Sequence, residues 1–384
     1  MKLGILLLPI LIGLTLQSAQ ASTQAEDMKW FKFVLQFSNM SEKKLNKFLN
    51  PYEGPTQFRL NEKHAPWAGN YFPMQDGGIA SRWRTNEYPG EVYDKDAVLT
   101  LSERELSNLS PVEKYDILMG YYDFRTTKHE LKNRGPERKL KPEYWEGFCN
   151  GVRCAGIMTK EPQFPVSLTN KDGITVQFSP ADLKALAGAS YFYVEKYGQI
   201  GGPTAEKGRA QNQPNPAVFD LVLRYHLAHN KKGFVIDSHL GSEIWNETVV
   251  GYNRSLSALE KITAEEKAKY PHAEKKLLVV LQLETLGEVG INDSNGLTKS
   301  KVADGSLLTT LDTSYTLYLN KDGEAIDGQW HNSKGDRGVD FAWFVSGKGA
   351  DHEYADRGGN PNLRFKEINK LFKRSVMTCE NIFF

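Results

Sequence analysis

The sequence predicts an α+β protein that contains both capped helices and antiparallel hairpins. Ser110-Pro111-Val112-Glu113 combines a helix-capping serine, a proline at the first helical position and a capping-box glutamate, so a helix begins there. Alternating residues flank Asn170-Lys171-Asp172-Gly173, which is a hairpin signal because Asp-Gly favours a tight turn between antiparallel strands. A second turn of this type, Asn320-Lys321-Asp322-Gly323, lies between two further strand segments.

Composition and charge are those of an ordinary globular protein and do not identify a partner. The chain has 384 residues, of which 40% are hydrophobic and 25% charged, as in ordinary soluble globular proteins. Its formal net charge is +1, which gives no bulk electrostatic reason to expect nucleic acid or an anionic membrane as a partner. The partner therefore has to be inferred from a local site.

The first 21 residues have the pattern of an export signal. Lys2 supplies the positive start, Leu3–Leu16 is apolar, and Ala19-Gln20-Ala21 ends the segment with small residues. The apolar run of about 14 residues is shorter than the roughly 20 needed to span a bilayer. We expect residues 1–21 to be a signal peptide, no later segment to span a membrane, and the protein to be secreted or periplasmic.

The first part of the mature chain, 22–107, is predicted to be a mixed, loop-rich region ahead of a core at 108–345. Asp27–Phe48 has helical spacing of its apolar residues and is followed by Pro51 as a stop. Beyond the helix at Ser110, the basic and polar stretch Arg125–Lys141 is typical of a solvated loop.

Most strands are predicted in the second half of the core. Asn215–Leu223 has buried-type apolar positions compatible with a helix or a strand, and Lys232–Asp237 is a β-rich run that ends in an acid. The tail, 346–384, is predicted to be Gly-rich and charged, with a short helix at Leu363–Phe372. The further strands are expected at Lys275–Glu284, Tyr315–Asn320, Gly328–Trp330 and Val339–Phe344.

The chain contains three cysteines, at 149, 154 and 379. Three cysteines in a chain of this size exclude a disulfide framework, and their odd number leaves at least one thiol over. Cys154 could pair with Cys379 and leave Cys149 free, although sequence cannot fix the connectivity.

The most informative stretch is Trp145-Glu146-Gly147-Phe148-Cys149-Asn150-Gly151. The small residues that accompany Cys149 let a helix start pack closely, and the N-terminus of a helix lowers the pKa of a thiol. This environment suits a catalytic thiolate. The alternative is a cysteine buried as a small hydrophobic residue, the commoner situation for a cysteine.

Several stretches occur in an order and spacing that resemble the elicitor-type transglutaminases of oomycete cell walls and of marine and other bacteria. The resemblance covers roughly Leu106 to Phe344, and its most specific parts are the cysteine segment and the block from Phe234-Val235-Ile236-Asp237 to Ile244-Trp245-Asn246. The stretches are Ser110–Asp116, Tyr144–Gly151, Phe234–Asp237, Ile244–Asn246, Gly328–Trp330 and Asp340–Trp343.

This resemblance implies a papain-like core in which a helix that begins with the nucleophile packs on an antiparallel sheet. It implies Cys149 as the nucleophile and Asp237 as the acid that orients a histidine. At the position where the family's histidine is expected, this chain has Asp220, which cannot replace imidazole as a base near neutral pH. Either another histidine substitutes, with His239 or His226 nearest in sequence, or the fold survives as a binding module.

The activity implied by the resemblance is cysteine-dependent transfer of an acyl group from a glutamine carboxamide to a lysine amine, with proteins as substrates. The backbone N–H of Cys149 would contribute to an oxyanion hole. Trp145 and Trp245 would line the substrate tunnel and exclude water, unless they are simply core residues. Two alternatives remain open: a protease or glutamine deamidase on the same fold, and a catalytically silent surface or host-interaction protein.

No metal or cofactor site is evident from spacing. His226 and His229 lack an obvious third ligand for zinc, and the Asn292–Gly296 segment lacks most of a calcium-binding loop, so we interpret it as a turn. Calcium dependence is suggested only by the family resemblance.

Overall fold

The computed structural model describes residues 23–37, 41–85, 87, 94–192, 196–202, 213–331, 337–346 and 359–376. The predicted signal peptide and Cys379 lie outside these residues, so the structure does not address export or the Cys154–Cys379 pairing. Within the described ranges, none of the helices combines the length and apolar character required to cross a membrane.

The centre of the molecule is a nine-stranded sheet in which every neighbouring pair is antiparallel. Its main path runs β10-β9-β8-β6-β5-β11-β4, with β1 beside β6 and β7 beside β8. Its strands are β1 (Gln57–Arg59), β4 (Lys196–Gly201), β5 (Phe234–His239), β6 (Asn246–Leu256), β7 (Glu260–Lys261), β8 (Lys275–Leu286), β9 (Thr309–Leu319), β10 (Ala325–His331) and β11 (Arg337–Ser346). A separate hairpin consists of β2 (Val166–Thr169) and β3 (Thr175–Phe178), as the Asp-Gly turn predicts.

The helices flank this sheet. They are α1 (Gln24–Phe37), α2 (Glu42–Lys47), α3 (Lys95–Thr100), α4 (Glu103–Asn108), α5 (Pro111–Met119), α6 (Arg125–Arg134), α7 (Cys149–Met158), α8 (Pro180–Tyr191), α9 (Pro216–Leu221), α10 (Ala264–Lys269), α11 (Lys299–Asp304) and α12 (Phe365–Ser375). The helix α9 continues directly into a π-helical segment, Val222–His229. The prediction of a mixed fold of helices around an antiparallel sheet is confirmed.

Successive residues of β5 point to opposite faces of the sheet and enter two different cores. Phe234 and Ile236 pack in the core that contains α9 and its π-helical continuation. Val235, between them, packs in the core that contains α5, α7 and α8. The two faces are called the α9 face and the α7 face below.

Small residues place α7 deep in the second core. A Cβ atom on Gly151 would collide with the backbone oxygen of Gly188 on α8, so only glycine permits this approach of the two helices. The other side of α7 rests on β5, β6 and β11. The first residue of α7, Cys149, is thereby brought to the sheet.

Two sequence-based predictions about helices are wrong in detail. Arg125–Lys141 is not simply a solvated loop, since its first ten residues form α6 with Thr126, Glu130 and Leu131 buried. Its N-terminus is capped by the distant Asp116 carboxylate, which accepts hydrogen bonds from the backbone N–H groups of Thr126 and Thr127 at 3.1 and 2.9 Å.

The single helix expected over Asp27–Phe48 is two helices. The first, α1, ends at Phe37, and Ser41 caps the separate α2 by accepting a hydrogen bond from the backbone N–H of Lys44. A serine in this position is a local start signal that the helical spacing of the aromatic residues obscures. By contrast, the helix beginning after Ser110 has the predicted capping box.

Candidate active site

Cys149 is the first residue of α7 and is 8% exposed. The preceding Phe148 provides no side-chain cap, and its own backbone N–H donates to the Tyr71 carbonyl at 2.6 Å. The first N–H groups of a helix have no partner within the helix and carry partial positive charge, so the sulfur lies where negative charge is favoured.

The polar side chain that the structure brings against the thiol is Asn246, at the start of β6. Its amide Nδ2 donates a hydrogen bond to the Cys149 Sγ at 3.2 Å. On its other side, the amide Oδ1 accepts a hydrogen bond from the Trp343 indole Nε1 at 3.0 Å. All three side chains are buried. The indole fixes which end of the amide faces the sulfur, because an indole N–H can only donate.

Sequence reasoning did not assign a role to Asn246 or Trp343. Both occur in the stretches that carry the family resemblance, Ile244–Asn246 and Asp340–Trp343, and that was the signal available. Their convergence on the thiol follows from the pairing of β5 with β6 on one side and with β11 on the other, which a single sequence does not reveal.

Asp237 lies on the same face, directly opposite Asn246 in the β5–β6 pair. Its Oδ1 accepts hydrogen bonds from the backbone N–H groups of Trp245 at 2.9 Å and His239 at 3.1 Å. Its Oδ2 is buried and has no partner among the described residues. Burial raises the Asp237 pKa to about 7, and the neighbouring carboxylates of Asp340 and Glu247 act in the same direction.

His239 is at the end of β5, two residues past Asp237. Its ring lies against Gly241 and accepts a hydrogen bond from that residue's backbone N–H at 3.2 Å through Nδ1. Burial raises the pKa of the nearby Asp340 carboxyl to about 6, an effect that its electrostatic interaction with His239 opposes. The structure thus groups Asp237, His239 and Asp340, with Asn246 between this group and the thiol.

Asp220 does not lie in this site, contrary to the expectation from its position in the chain. It is fully buried in the α9-face core, where it accepts hydrogen bonds from Arg224 and from the Tyr315 hydroxyl at 2.8 and 2.7 Å. It also pairs with Arg254 at 2.9 Å. Asp220 is part of an ion cluster on the opposite face of the sheet and carries no information about the base.

His226 also belongs to the α9 face. It is 1% exposed and is surrounded by the rings of Phe31, Phe234 and Phe344. Burial lowers its pKa to about 3, and the positive charge of Lys232 acts in the same direction. The structure therefore separates His226 from Cys149 by the sheet.

A cavity of about 470 Å³ opens at Cys149. Its lining residues include Trp145, Asn150, Asn246 and Phe192, together with Arg134 and Arg138. Trp145, predicted to face substrate, is therefore part of the wall beside the thiol.

Trp245 flanks the same region from the β5–β6 turn. Its ring centroid is 6.4 Å from those of both Tyr71 and Tyr144, and its Nε1 donates to Glu243 Oε2 at 2.8 Å. The Tyr144 hydroxyl donates to the same carboxylate. These contacts tie the segment before Cys149 to the segment before Asn246.

The described part of the chain contains no group of three or more His, Cys, Asp or Glu side chains that could hold a metal ion. In the Asn292–Gly296 segment, Asp293–Asn295 form a short 3₁₀ turn. The buried Ser294 hydroxyl there accepts a hydrogen bond from the backbone N–H of Asn70 at 2.9 Å.

Comparison with known proteins gives one family and one solved structure. The family model described as transglutaminase elicitor matches residues 132–379, more than half of the chain. The crystal structure of the GP42 transglutaminase from Phytophthora sojae is similar, with a TM-score of 0.65 and 21% identity over 93% of this chain and 99% of that one. At that identity the likeness concerns the fold. No curated protein matches. The matched segment includes Cys149, Asn246 and Trp343, and the chain belongs to the transglutaminase elicitor family.

Proposed function

We propose that this chain is a protein-glutamine γ-glutamyltransferase with a papain-like core, in which Cys149 is the nucleophile. The observation that carries the proposal is the thiol at the start of α7, held by the Asn246 amide at the wall of a cavity. Family membership supports the reaction class, and the geometry supports the choice of nucleophile.

The proposed reaction has two halves that share one thioester. The Cys149 thiolate attacks the carbonyl carbon of a glutamine carboxamide, the C–N bond breaks, and ammonia leaves with an added proton. The amine of a lysine side chain then attacks the thioester, the C–S bond breaks, and an isopeptide bond forms while one proton is released. Water in place of lysine would give glutamate and a deamidase.

Negative charge on the carbonyl oxygen needs hydrogen-bond donors beside the sulfur. The backbone N–H of Cys149, at the start of the helix, supplies one in this proposal. The Asn246 Nδ2, 3.2 Å from the sulfur, supplies a second, since a carbonyl carbon bonded to the sulfur brings its oxygen within reach of the same amide.

Proton transfer is assigned to the group formed by Asp237, His239 and Asp340. The free Oδ2 of Asp237 and its pKa of about 7 suit a carboxyl that accepts and returns a proton near neutral pH. His239 is proposed as the histidine of the site. Its backbone N–H donates a hydrogen bond to Asp237, and the Asp340 carboxyl is nearby. Trp145 and Trp245 are assigned to the walls that exclude water.

The test is incorporation of a labelled primary amine into a glutamine-rich protein, with ammonia release followed in parallel. We expect Cys149→Ala to abolish both signals. Cys154→Ala is the matched control, because Cys154 is on the same helix, fully buried, and outside the cavity lining.

Each pattern of results has a distinct meaning. Ammonia without incorporation would replace the transferase by a glutamine deamidase. Equal loss in both cysteine variants would remove Cys149 from its special role. No signal above the Cys149→Ala background in the wild-type protein would overturn the enzymatic proposal and favour a silent interaction protein.

We also propose that the chain is exported. The basic start, the short apolar run and the Ala19-Gln20-Ala21 end of the first 21 residues support this. N-terminal sequencing of the protein from a producing cell should begin near Ser22, and an N-terminus at Met1 would contradict it.

A further inference from the structure

Arg153 lies one helical turn beyond Cys149 on α7. Residues four apart in a helix are neighbours on one face, with Cβ atoms about 5–6 Å apart. The side chain of Arg153 is 1% exposed, which makes it one of the two arginines among the largest fully buried side chains. A guanidinium is always charged in proteins, so a full positive charge is buried beside the thiol.

The hydrogen bonds of Arg153 go to neutral groups. Its Nε donates to the backbone carbonyl of Asn246 at 3.3 Å, and its Nη1 donates to the backbone carbonyl of Gly69 at 3.3 Å. In the described ranges, no carboxylate oxygen lies within 4 Å of its guanidinium.

Other buried cations of this protein form ion pairs with carboxylates. Lys114 pairs with Asp182 at 2.8 Å, Lys184 with Glu161 at 2.7 Å, and Arg224 and Arg254 share Asp220. A buried charge is costly unless an opposite charge compensates it. Arg153 is the exception in this set. It lies four residues beyond Cys149 on the same helix, interacts electrostatically with that thiol, and contacts the same residue, Asn246, that contacts the sulfur.

The ionisable groups around this pair come from several elements. Cys149, Glu288 and Glu247 face the guanidinium, and their negative charge works against the burial that lowers the Arg153 pKa. The hydroxyl of Tyr71 and the thiol of Cys154 face Cys149. Glu288 is exposed to solvent, although partial desolvation raises its pKa.

We propose that Arg153 is the counter-ion of a resting Cys149 thiolate. The inference rests on the proposed function, in which Cys149 is the nucleophile. It explains how the thiol is activated although the side chain that touches it is an amide. Arg153 also donates a hydrogen bond to the backbone carbonyl of Asn246. It therefore helps to position the residue whose side-chain amide contacts the sulfur. Arg153 is a positioning residue that acts through Cys149.

The test measures the charge state of the thiol directly. The rate of Cys149 carbamidomethylation by iodoacetamide, read by peptide mass spectrometry against pH, gives the midpoint of thiolate formation. We expect Arg153→Met to raise this midpoint by at least about 1 pH unit, a roughly tenfold slower reaction below the midpoint. Arg153→Lys keeps a positive charge and should retain most of the wild-type profile.

Two further variants separate charge from structure. Glu288→Gln removes an anion that faces the same guanidinium and should move the midpoint downward, the opposite sign. Arg59→Met makes the same change of net charge at a site paired with Glu284 and should leave the midpoint in place. Circular dichroism establishes that each variant is folded.

Superimposable profiles for wild type and Arg153→Met would overturn the proposal, as would an equal shift in Arg59→Met. If Arg153→Met does not fold, an unchanged midpoint in Glu288→Gln would overturn it. Alkylation needs no transferase activity, so its failure is distinguishable from failure of the proposed function.

Discussion

Trp343 orients the Asn246 side chain that contacts the Cys149 sulfur. Its indole N–H holds the Asn246 oxygen at 3.0 Å and so directs the amide N–H to the thiol. Without that donor, the amide can turn its oxygen toward the sulfur, where it would repel a thiolate and a developing oxyanion.

We therefore expect Trp343→Phe to lower kcat for amine incorporation by roughly tenfold, the order of effect of losing one well-placed hydrogen bond. Trp330→Phe is the matched control. Trp330 is also 8% exposed, and its Nε1 donates to the Pro214 carbonyl at 2.7 Å in the α9-face core. Equal kcat losses in the two variants would show that the effect is only loss of packing.

Asp237 gives a second prediction, in the pH dependence of stability. Its pKa is about 7 in the folded protein against 3.8 as the ordinary value, because burial disfavours the carboxylate. Between these pH values the folded state binds more protons than the unfolded state. The free energy of unfolding contributed by Asp237 therefore falls as pH rises from about 4 to about 7.

Chemical denaturation at several pH values should show a smaller decline for Asp237→Asn than for wild type across this window. Taking the difference between the two proteins removes the contribution of Asp116, whose pKa burial also raises and which does not interact with Asp237. Parallel curves would mean that Asp237 ionises normally and would remove its assignment to proton transfer near pH 7.

At the scale of elements, the position of α7 depends on its close approach to α8. Gly151→Ala would set a methyl group against the Gly188 carbonyl and within 2.8 Å of the Phe192 backbone nitrogen, neither of which can move without shifting a helix. We expect a loss of about 2–3 kcal/mol in the free energy of unfolding, as for other overpacked sites. Urea denaturation measures it.

Gly287→Ala is the control for that substitution. A Cβ atom at this position would have no neighbouring atom within 4 Å. The free energy of unfolding should therefore stay within about 0.5 kcal/mol of the wild-type value. Equal stability of the two alanine variants would mean that α7 and α8 can accommodate a methyl group at Gly151. The position of Cys149 would then depend on other contacts.

Helices and hairpins that are specified by a few neighbouring residues could be predicted from the sequence. Elements that depend on residues further along the chain could not. The helix after Ser110 and the β2–β3 hairpin are specified within four to six residues, so they were predicted correctly. The start of α6 is capped by Asp116, ten residues away across a turn, and was missed. The split between α1 and α2 was hidden by aromatic residues that kept a helical spacing.

The candidate site shows the same limit more strongly. Cys149 could be proposed from its own heptapeptide, because small residues and a helix start surround it. Asn246 is 97 residues further along the chain, and only strand pairing brings it to the sulfur. Asp220 was misplaced for the converse reason, since its distance from Asp237 in sequence says nothing about which face of the sheet it occupies.

At the scale of the whole molecule, the sheet separates two kinds of buried chemistry. Its α7 face carries the thiol, Asn246, Asp237 and an arginine that forms no ion pair with a carboxylate among the residues that the structure describes. Its α9 face carries Asp220, which forms ion pairs with two arginines and accepts a hydrogen bond from a tyrosine. The first arrangement leaves groups available for reaction, and the second closes them into the core.

This separation has a consequence for how the protein can vary. Along β5, residues 234 and 236 belong to one face and 235 and 237 to the other. Under the proposed function, substitutions at the first pair would change how much folded protein accumulates, and substitutions at Asp237 would change activity. Adjacent positions of one strand would then be under different selection, so that changes in the α9-face core could adjust thermal tolerance without altering the proposed chemistry.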